Sequence, residues 1–399
     1  MTDRLTQLPA ELFITICELV HESKEGPYLA LISRAFVPVA RRLAFRMVEV
    51  KQYDHLQALC EVIVGSRPVA ECIEELDLDM TASRPDVGAP RTALLTSTFR
   101  RLTRVRSMRV TTSSRLAKLA VSPTPMSLPS LTTIHIADPF HGWANPFDPV
   151  NLRLLHEYSN LSALFLRIDR SVDSLGRYRS ASGPTPQLGH VDWLHLQGPL
   201  SGNAAVPVLL ASFGHIRGIR LCDTVPSGEA ALPFLLRNVP APDAVDVLAL
   251  AQWIGYPRSL VDVLPSYSSL KFLELGLRAW SSAMLPVLHK FHHLEEVVFL
   301  LGADISTADL CDMIRGPNKL DKLERMSIDV LWTRHWPGSA DEVLGWSSSF
   351  TLEGVVDLLS VVDEAGIVLE GLAVDLAREL VEDRRAAAFR LAAQGRGGV

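Results

Sequence analysis

Residues 270–275 read LKFLEL, and this spacing of apolar residues decides the fold of most of the chain. Residues 161–166 (LSALFL) and 131–136 (LTTIHI) repeat it closely. With Leu, Ile, Val or Met as the apolar residue and one Phe allowed, the pattern L-x-x-L-x-L occurs about eleven times, at steps of roughly 24 to 32 residues before a longer last step. The copies start at Ile73, Val105, Leu131, Leu161, Val191, Ile216, Val245, Leu270, Leu294, Leu323 and Leu369.

The alternating second half of each copy predicts a short β-strand with one buried face. A single strand cannot bury that face, but a stack of such units builds a continuous core. The pattern and its period resemble those of leucine-rich repeats. That resemblance implies an α/β solenoid with parallel strands on the concave face and helices and loops outside. The asparagine usual after the third apolar position is missing from every copy, so we expect irregular turns. A different layered α/β fold remains the alternative.

The composition is that of a folded protein, with 399 residues, 48% hydrophobic and 21% charged. A net charge of −6 makes a nucleic-acid partner unlikely, because such binders are usually basic. The five cysteines are scattered and never form C-x-x-C, which argues against a disulfide framework or a zinc site. Neither a secretory signal nor an apolar run long enough for a membrane span is evident. We therefore expect a cytoplasmic or nuclear protein with no metal, cofactor or membrane contact.

Residues 1–50 differ from the repeats that follow. The run LPAEL at residues 8–12 opens a helix, where proline is tolerated in the first turn. Gly26 and Pro27 end that helix, and a second apolar helix follows. A third helical element over residues 39–45 leads into an alternating segment at residues 45–50, which predicts a strand.

These residues resemble an F-box, in the form common at the N-termini of fungal proteins. Leu8, Pro9, Glu11, Leu12 and Ile16 match the first half of the family pattern. The second half is matched by Leu29, Leu31, Ile32, Ser33, Arg34 and Phe36.

The resemblance implies a non-catalytic substrate-recognition subunit of a cullin–RING (SCF-type) ubiquitin ligase, docked on a Skp-family adaptor. The repeats would then hold an unknown protein substrate. The implied adaptor-binding residues are Leu8, Pro9, Glu11, Leu12, Ile16, Leu31, Ile32, Ser33, Arg34 and Phe36. The alternative is a leucine-rich-repeat scaffold whose N-terminal helices only cap the solenoid. The predicted domains are an F-box-like module at 1–50, repeats at 51–375, and a C-terminal helix and tail at 376–399.

No familiar catalytic signature is present: the sequence has no P-loop, nucleophile elbow, H-E-x-x-H or dinucleotide fingerprint. Asp77 and Asp79 alternate with leucines, so we place both on the exposed side of a strand rather than in an acid–base pair. His289 and His293 have helical spacing for a metal but no evident third ligand. We therefore predict that the protein is not an enzyme.

The residue between the last two apolar positions of each copy points away from the core, and these residues locate a partner-binding surface. Phe165 with nearby basic residues predicts an aromatic and basic patch, because aromatic residues and arginines are common anchors in interfaces. The predicted partner-binding residues are Arg109, His135, Phe165, Arg167, Trp193, His195, Arg220 and Glu274. Our hypothesis is that they recognise an acidic or phosphorylated protein segment.

Overall fold

The chain divides into two compact units, Met1–Asp169 with Ala181–Gly189, and Arg170–Ser180 with His190–Val399, which are described in turn. The structure is a computed structural model, and the adaptor-binding residues predicted between Leu8 and Phe36 lie outside its described residues. Those described residues are 15, 37–80, 92–111, 128–138, 158, 160–168, 188–198, 200, 205–223, 231–251, 258–276, 282–300, 306–317, 319–329, 352–371, 374–375, 378–379, 382–383 and 386.

The first unit contains helices alternating with short strands up to Ser107–Thr111, followed by the strands Thr133–Asp138 and Ala163–Ile168. Its elements are α1 (Val37–Arg46), β1 (Met47–Val50), α2 (Tyr53–Gly65), α3 (Arg67–Ala70), β2 (Glu75–Asp79), α4 (Thr92–Arg101), β3 (Ser107–Thr111), β4 (Thr133–Asp138) and β5 (Ala163–Ile168). Leu56, Cys60 and Ile63 form the buried face of α2, at the i, i+4, i+7 spacing of an amphipathic helix. This helix packs against α4.

The strands of the first unit form a parallel ladder in chain order. Its inward residues are the last two apolar positions of the repeats: Leu76 and Leu78 on β2, for example, are 3% and 1% exposed. Each fully buried aliphatic side chain stabilises the fold by about 1.5 to 3 kcal/mol. The predicted alternation is confirmed in this unit.

The second unit repeats the same arrangement with longer first strands. Its elements are β6 (Leu188–Gly198), α5 (Ala205–Ser212), β7 (Phe213–Asp223), α6 (Ala231–Arg237), β8 (Val247–Ala251), α7 (Arg258–Val261), β9 (Phe272–Leu275), α8 (Leu285–Leu288), β10 (Glu296–Leu300), α9 (Thr307–Arg315), β11 (Arg325–Asp329), α10 (Leu352–Ala365) and β12 (Val368–Glu370). Short 3₁₀ turns lie at Pro242–Ala244, Leu264–Ser266 and Ser282–Met284. The first two residues of β6 are grouped with the first unit.

The strands from β7 to β12 pair in parallel, each with the next along the chain. Their inward residues are almost fully buried; Leu273 and Leu275 on β9 are both 0% exposed. Helix α9 begins with a capping box, in which the Ser306 hydroxyl accepts from the Asp309 backbone N–H at 3.0 Å and the Asp309 carboxylate accepts from the Ser306 backbone N–H at 3.1 Å. An all-parallel sheet with helices between successive strands confirms the α/β class.

The first strand of the sheet is an additional copy of the repeat. Val48 pairs with Leu76 and Val50 with Leu78, so Phe45-x-x-Val48-x-Val50 occupies the same register as the later copies. The strand predicted at residues 45–50 is present over Met47–Val50 and begins the parallel ladder, while residues 45 and 46 belong to helix α1. Helix α1, which corresponds to the third predicted helical element, runs directly into it.

The last repeat was predicted in the wrong register. Leu369 pairs with Met326, so it takes the second apolar position of the repeat and not the first. Strand β12 ends at Glu370, and Val374 is helical. Gly371 turns the chain here with a φ of +114°, which favours glycine, and a Cβ at this position would overlap the backbone carbonyl of Ile328.

Among the described residues, no helix is both long enough and apolar enough to span a bilayer.

Candidate protein-binding face

The residue between the last two apolar positions forms a continuous row in each unit, which we call the middle row. In the first unit the middle row is Glu49, Asp77, Arg109, His135 and Phe165, each in register with the next. Parallel pairing with this register places all five on the side of the sheet opposite its buried leucines. Asp77, Arg109, His135 and Phe165 are in register as predicted, and Glu49 from the additional first copy extends the row.

Arg109 is held in place from two sides. Its Nε–H donates to Nδ1 of His135 at 2.9 Å, and its Nη1 donates to Oδ2 of Asp77 at 3.4 Å. Nδ1 of His135 must therefore be the unprotonated acceptor nitrogen of that ring. The Arg109 side chain is nevertheless 55% exposed, and its Nη2 makes no hydrogen bond to any described residue. A fixed guanidinium with an open edge suits an acceptor on a partner.

An aromatic contact extends the row across the next strand. The rings of His135 and Phe165 have centroids 5.8 Å apart at an angle of 54°. Phe165 is partly exposed, and Arg167 is exposed two residues further along β5 on the same face. Arg109, His135, Phe165 and Arg167, four of the predicted partner-binding residues, thus share one face within the first unit.

The other end of the same face is acidic. Glu75, Asp77 and Asp79 alternate along β2 and point to the side of Arg109, while the Glu49 carboxylate on β1 pairs with Nζ of Lys51 at 2.8 Å. Burial raises the pKa of Asp77, the Arg109 charge opposes that rise, and the charges of Glu49 and Asp79 add to it. The buried Oδ1 of Asp77 accepts no hydrogen bond from the described residues.

In the second unit, the Trp193 ring lies against Gly218 of the neighbouring strand β7, a residue that has no side chain. A Cβ at Gly218 would overlap the indole ring of Trp193. Glycine at this position therefore allows the ring to pack directly on the β7 backbone. Trp193 is partly buried, so packing accounts for this predicted partner-binding residue at least as well as recognition does.

His195 is partly buried, beside a thiol and a guanidinium. Its Nε2 lies 3.5 Å from Sγ of Cys222. Burial, assisted by the positive charge of Arg220, lowers the pKa of His195 to about 4. Burial raises the pKa of the Cys222 thiol, while the charge of Arg220 opposes that rise. The pair is therefore a neutral imidazole and a neutral thiol near pH 7, in contrast to an activated thiolate.

Arg220 and Glu274 form an ion pair in the middle row of the second unit. Nη2 of Arg220 lies 3.2 Å from Oε1 of Glu274, whose side chain is 9% exposed. Nε of Arg220 is buried and has no hydrogen-bond partner among the described residues. Since each charge already has its counter-charge, Arg220 offers less to an acidic partner than the sequence hypothesis expects.

Most other members of this middle row are buried, whereas Glu370 on β12, in register with Ser327, is exposed. Ala249, Val298 and Ser327 are 2%, 9% and 6% exposed, and Glu274 as a whole residue is 7% exposed. On the same side, Cys222, Ala251 and Val298 form a small hydrophobic cluster packed against Phe272. The second unit therefore presents less of its middle row to a partner than the first unit does.

No known family model and no curated protein matches the chain.

Two residues that the sequence did not single out lie two positions along a strand from Asp77 and Arg220. Glu75 is exposed on β2, and Cys222 contacts His195. Both follow from the period of a strand, because residues i and i±2 share a face. Gly218 could not be found this way, since a pattern of apolar positions says nothing about a ring that covers a glycine.

The structure also locates a histidine that the sequence analysis considered as a metal ligand. His293 is exposed, with its Nδ1 3.3 Å from Nζ of Lys322. In the described part of the chain, no group of three His, Cys, Asp or Glu side chains has the arrangement of a metal site.

Proposed function

We propose that the protein is a non-catalytic substrate receptor of an SCF-type ubiquitin ligase, acting in the cytoplasm or nucleus. The proposal combines the F-box-like pattern of residues 8–36 with the accessible face of the first unit. The observation that carries the target-binding half is the in-register row of Arg109, His135 and Phe165, which holds a fixed guanidinium beside an aromatic ring. The adaptor-binding half rests on the sequence pattern.

Residues of the first unit are assigned the main role in target binding. Arg109 is 55% exposed although it is held by two hydrogen bonds, so little side-chain entropy is lost when a partner binds. Glu274 in the second unit is only 9% exposed and already ion-paired, so it is assigned a structural role. His195 and Trp193 stay secondary candidates, because both are partly buried.

Co-purification with a Skp-family adaptor tests the docking half. The wild-type chain is compared with the triple variant Leu8→Ala, Pro9→Ala, Ile16→Ala, and circular dichroism checks that both are folded. A matched control, Val62→Ala, Phe234→Ala, Val356→Ala, removes exposed apolar side chains elsewhere, which are 45%, 56% and 37% exposed. Adaptor binding lost in the first variant and kept in the control supports the proposal. No adaptor binding by a folded wild type contradicts it.

The target-binding half needs a separate variant. Arg109→Glu reverses the charge of the fixed guanidinium, and Arg237→Glu makes the same change at an exposed position in the last turn of α6. Proteins that accumulate when the ligase is blocked, and that co-purify with wild type and Arg237→Glu but not with Arg109→Glu, are the expected targets. Equal recovery by all three proteins would refute the role given to Arg109.

A repeat scaffold with an N-terminal cap is the second candidate, and one observation favours it. Helix α1 contacts α3 and β1, and Arg42 and Arg46 of α1 pair with Glu74 at 3.2 Å and 3.6 Å. Ala40 and Leu43 of this helix are buried, as expected if it covers the first repeat. Target binding that survives in a chain unable to bind any Skp-family adaptor would select this function.

A further inference from the structure

The exposed face of the first unit is not uniformly basic. Strands β1 and β2 carry the four carboxylates of Glu49, Glu75, Asp77 and Asp79. Lys51, which follows β1, pairs with the Glu49 carboxylate. Beyond these strands, β3 to β5 carry Arg109 and Arg167 together with the rings of His135 and Phe165. Along the middle row the order is therefore acidic on β2, basic on β3 and aromatic on β5.

This order disfavours a purely acidic partner. Asp77 and Arg109 are neighbours in the ladder, and Nη1 of Arg109 lies 3.4 Å from Oδ2 of Asp77. A run of acidic side chains long enough to cover the row would therefore lie over the β2 carboxylates as well. Glu75 is exposed, and no described residue forms an ion pair with it. Repulsion by β2 would offset the attraction of Arg109.

Resting on the proposed function, we infer that the target segment is an extended chain with a cation, an anion and an apolar side chain at alternate positions, in the order Lys/Arg-x-Asp/Glu-x-apolar. The cation lies over β2 beside the exposed carboxylate of Glu75. The anion accepts from the open Nη2 of Arg109, and the apolar side chain packs on Phe165.

The spacing of strands and residues is compatible with this assignment. Neighbouring strands are about 4.8 Å apart, so β2 and β5 are separated by about 14 Å. An extended chain that crosses them places residues i, i+2 and i+4 on the sheet side at intervals of about 7 Å. The three side chains thus fall over β2, between β3 and β4, and over β5. The chain can cross in either direction, but the anion must stay between the other two groups.

Two peptides of identical composition test the order. Fluorescein-labelled Gly-Ser-Lys-Ser-Glu-Ser-Leu-Ser-Gly follows the inferred order, and Gly-Ser-Glu-Ser-Lys-Ser-Leu-Ser-Gly exchanges the two charges. Neither crossing direction lets the second peptide put its anion on Arg109 and its cation on β2. Fluorescence anisotropy with the full chain should give at least about tenfold tighter binding of the first peptide, the size expected when complementary charge pairs become like-charge pairs.

Charge reversal of the face should reverse the preference. The double variant Glu75→Lys, Arg109→Glu is expected to bind the exchanged peptide more tightly. Asp243→Lys with Arg237→Glu makes the same charge changes at exposed positions of the second unit and should keep the wild-type preference. If the double variant does not fold, Glu75→Gln alone should reduce the preference by about threefold or more without inverting it.

Equal affinity of wild type for the two peptides overturns the inference, as does binding of neither at millimolar concentration. Adaptor co-purification depends on residues 8–36 and not on this face. A chain that binds the adaptor but does not distinguish the two peptides would therefore keep the ligase function and contradict only the inferred segment. Loss of adaptor binding would contradict the ligase function.

Discussion

Arg220 and Glu274 form an ion pair above Ala249, although their strands are separated by β8. The Nη2–Oε1 distance is 3.2 Å, and Ala249 is in register with both residues. Two strand spacings are about 9.6 Å, which the long arginine side chain can cross only where the intervening side chain is small. The middle row of the second unit is thus bound together by contacts within the fold.

We expect Glu274→Ala to lower the free energy of unfolding by about 1 to 2 kcal/mol, because Arg220 keeps its charge and loses its counter-ion. Solvent at the 41% exposed Arg220 side chain limits the cost. Urea unfolding followed by circular dichroism measures it. Glu296→Ala, which removes a looser pair with Arg325 at 3.7 Å, is the control and should cost less than about 0.5 kcal/mol. Equal costs would contradict the structural role of the pair.

Gly218→Ala should destabilise the second unit by about 1 to 3 kcal/mol, because the added methyl overlaps the ring of Trp193. In a Trp193→Leu background the same substitution should cost less, and the double-mutant cycle isolates the contact. Gly189→Ala is the matched control, since nothing lies within 4 Å of a Cβ there. Additive effects of the Gly218 and Trp193 substitutions would show that the ring does not cover this glycine.

Stability should fall at acidic pH because of His195. Its folded-state pKa of about 4 is below the ordinary value of 6.5, so between these values the unfolded chain binds more protons than the folded one. The free energy of unfolding therefore decreases as pH falls from about 6.5 to 4 and is unaffected by this group above that range. After screening by solvent, we expect a loss on the order of 1 to 2 kcal/mol.

His195→Gln is the variant that checks this pH dependence. Its unfolding free energy, measured by urea titration at several pH values, should show a shallower slope than wild type between pH 6.5 and 4. A slope unchanged in His195→Gln would assign the pH dependence to other groups.

Tyr267→Phe should cost about 0.5 to 1.5 kcal/mol. The substitution removes one of two hydrogen bonds that the Leu236 carbonyl accepts, and the second, from the Val239 backbone N–H at 3.2 Å, remains. The Tyr267 hydroxyl donates to the Leu236 carbonyl at 2.8 Å, and the residue is 0% exposed. Burial also raises the pKa of this hydroxyl, so it stays a donor throughout the accessible pH range. The ring is retained in the variant, so thermal and urea unfolding report on the hydroxyl. A change below about 0.3 kcal/mol would mean that water replaces the bond.

Strand positions were predictable because a strand has a period of two and the sequence repeats its apolar residues with that period. Leu161, Leu164 and Leu166 predicted β5, and the neighbouring register then placed Phe165 beside His135. The additional first copy at Phe45 was available from the same pattern. The last copy was misplaced by three residues, because Leu369 fits two positions of the pattern and only pairing with Met326 distinguishes them.

The apolar pattern of the sequence indicated by itself the strands and the residues that face away from the core, and its resemblance to leucine-rich repeats implied the α/β class and the parallel order of strands. Tertiary structure alone decided which of those residues stay accessible. Arg109 and Arg220 occupy equivalent positions, but Arg109 keeps an open edge while Arg220 lies in a row whose neighbours Ala249, Glu274 and Val298 are buried. Burial and ion pairing depend on side chains brought together from different repeats, and the spacing of apolar residues within one repeat does not predict those contacts.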